Sequence, residues 1–187
     1  LVVSVPVSTV GMEYICKKKP QKVLEMLEAL TKKAVSLCAD VEVSFSDATR
    51  AEHDFLVKAA ECAVSCGAKT VTVCDDAGTM LPGEFGEFVS SLLKDAPTLS
   101  GVALAVAPCD AIGMASADAV AAIESGAVCI KTSLIPGGVY LESLAKVLRA
   151  KGEALGVETY LDMTKLGNAV AKMDFLTAEN TEKDKGS

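Results

Sequence analysis

With 187 residues, half of them hydrophobic, the chain is long enough to bury one core and short enough for one principal domain. Its formal net charge of -7 disfavours nucleic acid and anionic membrane surfaces as partners, because both reward a basic face. Trp is absent and aromatics amount to 4%, which leaves no platform for stacked bases.

Taken in order, the first strand covers residues 1–7, β-branched and almost wholly apolar, as in a parallel sheet covered on both faces. A loop over 8–19 follows. Its basic run Lys17, Lys18 and Lys19 reads as a solvated helix start facing Glu25 and Glu28. Pro20 opens a helix over 20–37, where its missing N–H costs nothing, and Val23, Leu24, Leu27, Leu30 and Val35 mark the apolar face. Strand two is 40–44, and the loop 45–53 leads into a helix over 54–66 that Gly67 ends. Strand three, 70–74, passes through Asp75-Asp76-Ala77-Gly78 to a helix over 82–93.

Strand four is 101–107, with its helix over 116–125 closed by Gly126. Strand five, 128–132, precedes a Gly-rich loop through Gly138 and a helix over 141–155. An extended piece, 157–160, and a helix over 164–173 complete a domain spanning 1–176, ahead of a polar, fraying tail over 177–187. Ser65-Cys66-Gly67-Ala68 and Glu124-Ser125-Gly126-Ala127 echo one another: each closes a helix with a Gly at positive φ and feeds Ala into a β-branched run. Strand after helix with short links means parallel strands and right-handed crossovers, so the fold class is α/β.

Seven cysteines, at 16, 38, 62, 66, 74, 109 and 129, form an odd set without a Cys-x-x-Cys. They read as small reduced fillers, not as a disulfide framework. The apolar opening, 1–6, is far too short to span a membrane, and the expected location is the cytoplasm. A chain opening on Leu inside a strand-like run also reads as a piece of a longer chain or a processed product.

Short polar motifs follow the strands, where sites in α/β folds are normally assembled. Asp47 and Arg50 are spaced to pair across a turn, with Thr49 a candidate cap for the next helix. An Arg held by a carboxylate is either an anchor for an acid substrate or a purely structural pair. Asp75 and Asp76 are candidates for acid–base work or a cation, although one of two adjacent carboxylates can simply bond to backbone N–H groups. Cys109, beside Asp110, is a candidate nucleophile or soft-metal ligand. The lone histidine, His53, leaves no ordinary pair for a closed zinc site and reads as a helix-start residue near solvent. Gly137 and Gly138 either cradle an anion with backbone N–H groups or form a plain crossover, since neither G-x-G-x-x-G nor G-x-x-x-x-G-K-[ST] is present.

In their order these motifs resemble the 2-isopropylmalate synthase / homocitrate synthase family, metal-dependent TIM barrels that include hydroxymethylglutaryl-CoA lyase. Val41-Glu42-Val43-Ser44 through Asp47-Ala48-Thr49-Arg50 is similar to the family's fifth-strand segment, and Asp75-Asp76-Ala77-Gly78 with Pro82, Glu84 and Phe85 to its sixth-strand "DTVG…P.EF" segment. Gly113-Met114-Ala115, Ala121-Ala122 and Glu124-Ser125-Gly126-Ala127 resemble the helix after strand seven. Leu141-Glu142-Ser143-Leu144 resembles the helix after strand eight.

The resemblance implies a partial TIM barrel, five strand–helix units equivalent to strands four to eight. It also implies an ancestral condensation of an acyl-CoA with a 2-oxo acid, assisted by a divalent metal. The first-strand Asp and Arg have no counterpart, and the family's His-x-His falls on Ala107-Pro108-Cys109. The eighth-strand Gly-x-Gly-Glu-Arg segment becomes Ile135-Pro136-Gly137-Gly138-Val139, and the Pro-Glu before Asp47 becomes Phe45-Ser46. No metal ligand set is therefore assigned. The implied site residues are Asp47, Thr49, Arg50, Asp75, Asp76, Cys109 and Asp110, with Gly137 and Gly138 as the anion cradle. Open sheet edges predict a homo-oligomer or a subunit supplying the missing strands. The alternative is an inactive barrel fragment serving as a binding or assembly subunit.

Overall fold

A computed structural model describes the backbone of residues 1–184 and side chains through Met173. Five parallel strands alternate with helices: β1 (Val2–Pro6), α1 (Pro20–Leu37), β2 (Glu42–Ser46), α2 (His53–Ser65), β3 (Thr70–Asp75), α3 (Pro82–Asp95), β4 (Ala103–Pro108), α4 (Ala115–Glu124) and β5 (Cys129–Ile130). A two-stranded piece, β6 (Thr132–Ser133) and β7 (Val139–Tyr140), and the helices α5 (Leu141–Leu155) and α6 (Met163–Asp184) follow. The strands stand in sequence order, β1-β2-β3-β4-β5, with β1 and β5 at the two edges.

Register explains the layering. Val3, Val43, Val71 and Leu104 lie in one row across the sheet, and Val5, Phe45, Val73, Val106 and Ile130 in another. Both rows pack with Leu27, Leu56, Phe85 and Leu92 of the helices in one core. Side chains alternate along a strand, so the row between them faces the other way: Ser4, Ser44, Thr72, Ala105 and Cys129. Only one face is thus covered by helices. The expectation of a sheet covered on both faces fails for β1, whose Val2 remains 63% exposed.

The sheet curls. Lys131, just past β5, donates from Nζ to Glu42 Oε2 at 2.6 Å, and Thr72 Oγ1 donates to Glu42 Oε1 at 2.6 Å. Glu42 opens β2, three strand spacings from β5, which in a flat sheet is roughly 14 Å. Two side chains bridge that gap only if the free face is concave, as in part of a barrel.

Several boundaries move. Strand two extends to Ser46, two residues past its predicted end. The loop over 8–19 contains a π-helical turn, Gly11–Cys16, followed by Lys17 at φ 50. The Gly-rich loop contains β6 and β7, and α6 runs to Asp184, through most of the predicted tail, while residues 185–187 lie outside the described part. In α1 the buried positions are Val23, Leu27, Thr31 and Ala34, with Leu30 on the rim at 49% exposure. Gly67 and Gly126 take φ of 97° and 106°, the positive values their helix ends require. All seven cysteines are free. Burial, with Cys66 beside it, pushes the Cys62 thiol up to about 11, which keeps it protonated and inert.

Candidate functional site

Three strand ends build the site. At the end of β2 the chain turns through Asp47 in the left-handed region, φ 58, into a 3₁₀ turn, Ala48–Arg50. That turn swings Arg50 back so that Nε and Nη2 donate to Asp47 Oδ1 and Oδ2 at 2.7 and 2.9 Å, a two-pronged pair. Asp47 is 7% exposed, whereas the Arg50 side chain is 58% exposed and keeps a face toward solvent. Thr49 does not cap α2. Its hydroxyl donates instead to Asp75 Oδ1 at 2.6 Å and ties the β2 turn to the end of β3.

The two adjacent carboxylates part company. Asp75, the last residue of β3, is fully buried, and its Oδ2 has no hydrogen-bond partner. Asp76 is exposed and lines a cleft of about 350 Å³ with Cys109, Lys131, Ser133, Gly137 and Gly138. Partial burial raises the Asp76 carboxyl above its usual range. The charges of Asp47 and Asp75 add to that rise, while a backbone N–H of Asp47 and the Arg50 charge pull it back. A carboxyl raised above its usual range and open to the cleft is a candidate for proton transfer.

The β4 end closes the cleft. Cys109 bridges to Gly138, and Asp110 N–H donates to the Gly137 carbonyl at 3.1 Å, so the two loops are stitched together. Gly78 makes the same wall possible: at φ 60 a Cβ there would lie 2.8 Å from the Cys109 carbonyl oxygen. Asp110 is occupied structurally, its Oδ1 accepting from Ala115 N at the start of α4 at 3.0 Å.

Most of the predicted residues therefore fall into two neighbouring groups. Asp76, Cys109, Gly137 and Gly138 share the cleft, while Asp47–Arg50 and Thr49–Asp75 form two hydrogen-bonded pairs beside it; Asp110 belongs to neither and holds the start of α4.

Three participants escaped the sequence reading. Glu42 and Lys131 form a strut across the concave face. Burial pushes the Glu42 carboxyl up, but hydrogen bonds from Lys131 and Thr72, with the Lys131 charge, outweigh it and hold the carboxyl below its usual range. A carboxylate set between Val41 and Val43 in a strand was the available signal. The third is Asp118 on α4, 1% exposed, with Oδ1 unpartnered; burial, then Asp75 and Asp110, push its carboxyl up to about 6. Its place in a plain Ala-rich helix gave no such signal.

The residues present do not fit a divalent metal. Ala107 has no lone pair to offer, and among the described residues no group of three or more His, Cys, Asp or Glu is arranged to hold a cation. Among those residues, too, no helix is long and apolar enough to cross a membrane.

Parallel strand–helix units in sequence order, with polar groups gathered where the strands end, define part of a TIM barrel of the HMG-CoA lyase type. The HMGL-like family model matches residues 1–172, and the chain belongs to that family. Curated relatives are 2-isopropylmalate synthases. That of Ruminiclostridium cellulolyticum is 27% identical over 183 residues, 95% of this chain and 36% of its own. That of Aquifex aeolicus is 30% identical over 161 residues, 83% of this chain and 31% of its own. The chain thus spans about a third of the length of these relatives. Among solved structures, the Bacillus subtilis HMG-CoA lyase superposes with a TM-score of 0.77 at 16% identity, over 95% of this chain and 63% of the lyase.

Proposed function

We propose that this chain is the C-terminal five-unit portion of a 2-isopropylmalate-synthase-like barrel and works as a binding and assembly element, inactive in condensation by itself. The observation that carries this reading is the pair of open sheet edges. Among the described residues β1 pairs only with β2, and β5 only with β4, through two residues. Beside β5 lies an apolar groove of about 550 Å³, lined among others by Ile123, Val128, Leu144 and Leu148, with Val128 73% exposed. Such edges and such a groove are hazards unless covered, and strand–helix units of the missing barrel portion fit both. They come from a second copy or from another polypeptide segment.

Within the completed barrel, the reaction is the joining of an acyl-CoA methyl carbon, after loss of a proton to a base, to the keto carbon of a 2-oxo acid, whose oxygen becomes a hydroxyl; water then cleaves the thioester and releases the CoA thiol. This chain contributes Arg50, braced by Asp47, to meet the carboxylate of the oxo acid, and Asp76 to carry a proton. Its own residues hold no metal, so the groups that stabilise the enolate come from elsewhere in the assembly. The seven free cysteines support a cytoplasmic location.

Thiol release from acetyl-CoA with a panel of 2-oxo acids tests the reading. The protein alone is expected to show none, and turnover that tracks added divalent metal would overturn it. If an assembled form binds a 2-oxo acid, Arg50→Ala is expected to weaken that binding about tenfold, the worth of one charge-assisted hydrogen bond. Unchanged affinity removes Arg50 from the site.

A further inference from the structure

The loop between β1 and α1 carries a concentration of charge that the condensing site does not use. Lys17, Lys18 and Lys19, with Thr9, Met12 and Glu13, line a cleft of about 460 Å³. Among the described residues none of the three lysines has an ion-pair partner, whereas Lys22, Lys32, Lys131, Lys146 and Lys165 each have one. The carboxylates expected to face the run are already engaged, Glu25 by Lys22 and Glu28 by Lys32. Among the described residues Glu13 is the only carboxylate on the cleft, which leaves two positive charges uncompensated.

The backbone that carries those charges is held in place. The backbone N–H groups of Lys17 and Lys18 both turn back to the Met12 carbonyl, and Met12, 3% exposed, anchors that wall in the core. Three adjacent ammonium groups repel one another, and in a chain of net charge -7 the sequence supplies ample carboxylates that could have been placed against them. A multivalent anion relieves the repulsion, and lysines bind phosphate as point charges without needing a planar fork. The Thr9 hydroxyl adds a neutral donor, and the cleft is large enough for a diphosphate.

We infer that this cleft is a binding site for a small phosphate-bearing anion with two or more phosphate charges. The site opens at the C-terminal end of β1 and is independent of the condensing role proposed above.

Titration of the whole protein with inorganic pyrophosphate at low ionic strength, followed by calorimetry, tests it. Saturable binding is expected, weakened about tenfold or more in Lys18→Ala/Lys19→Ala and in Lys17→Gly, a change that also suits the left-handed backbone. Glu13→Gln is expected to tighten it, because the one opposing charge is removed. Lys146→Ala, a lysine of α5 paired with Glu142, serves as the control and is expected to leave it unchanged. All these side chains are exposed, so the variants retain the fold. Absence of saturable binding, equal weakening in the control, or indifference to the Lys17, Lys18 and Lys19 substitutions each overturns the assignment.

Discussion

Asp118 carries a buried carboxyl on α4 within electrostatic reach of Asp75, and each of the two has an unpartnered oxygen. Its folded pKa of about 6 lies above the unfolded value near 4, so the native state holds the extra proton between those limits. The associated stability is present below about pH 4 and is lost as pH rises through about 6. By pH 7 the ionised group destabilises the fold. Asp118→Asn removes the titration and is expected to raise the urea midpoint at pH 7 while leaving it little changed near pH 4. Glu42 acts in the opposite sense: its depressed carboxyl stabilises the fold above its ordinary range and loses that contribution as pH falls through its folded value. Thr49→Val leaves both Asp75 oxygens without a partner, a loss of about 1–3 kcal/mol readable in thermal unfolding.

At the scale of elements, α1 shows how much of a helix is visible in its spacing. Pro20 and Leu37 bound it as predicted, because the Pro start and the apolar repeat are local properties. Which edge of the apolar stripe turns inward is not local: α2 and the sheet select Leu27 and Thr31 and leave Leu30 on the rim. Leu27→Ala is therefore expected to cost about 2–5 kcal/mol, and Leu30→Ala within about 0.5 kcal/mol of zero, both by denaturant titration. The same distinction accounts for strand two. Phe45 and Ser46 read as loop because a polar motif follows them, yet Phe45 pairs with Val5 and Val73 and is fully buried in the helix-facing row. Helix α6 was underestimated because, after Phe175 and Leu176, the sequence turns polar and carries no apolar stripe to continue the helical pattern.

For the whole molecule, five units in order make a curved sheet with two free edges, and the exposed hydrophobics Val2 and Val128 lie at or beside them. Light scattering is expected to show an assembly larger than one chain. A strictly monomeric mass at high protein concentration counts against completion by a second copy, and leaves another polypeptide segment as the mate. A Val128→Lys substitution places a charge on the groove beside β5 and is expected to weaken that assembly without lowering the unfolding midpoint of the isolated chain, since the side chain is already largely in water.

The sequence by itself determined the α/β class, the parallel order, the family and the strand ends at which polar groups gather. Each of these rests on local grammar: glycines that close helices, β-branched runs and short motifs whose spacing survives without knowledge of the neighbours. Only the tertiary structure decided that Thr49 serves Asp75 instead of a helix cap, that Asp75 and Asp76 face different surroundings, and that Lys131 reaches Glu42. The Thr49–Asp75 and Lys131–Glu42 contacts join residues 26 and 89 positions apart, and they depend on how the strands are brought side by side and curled, which no local pattern encodes.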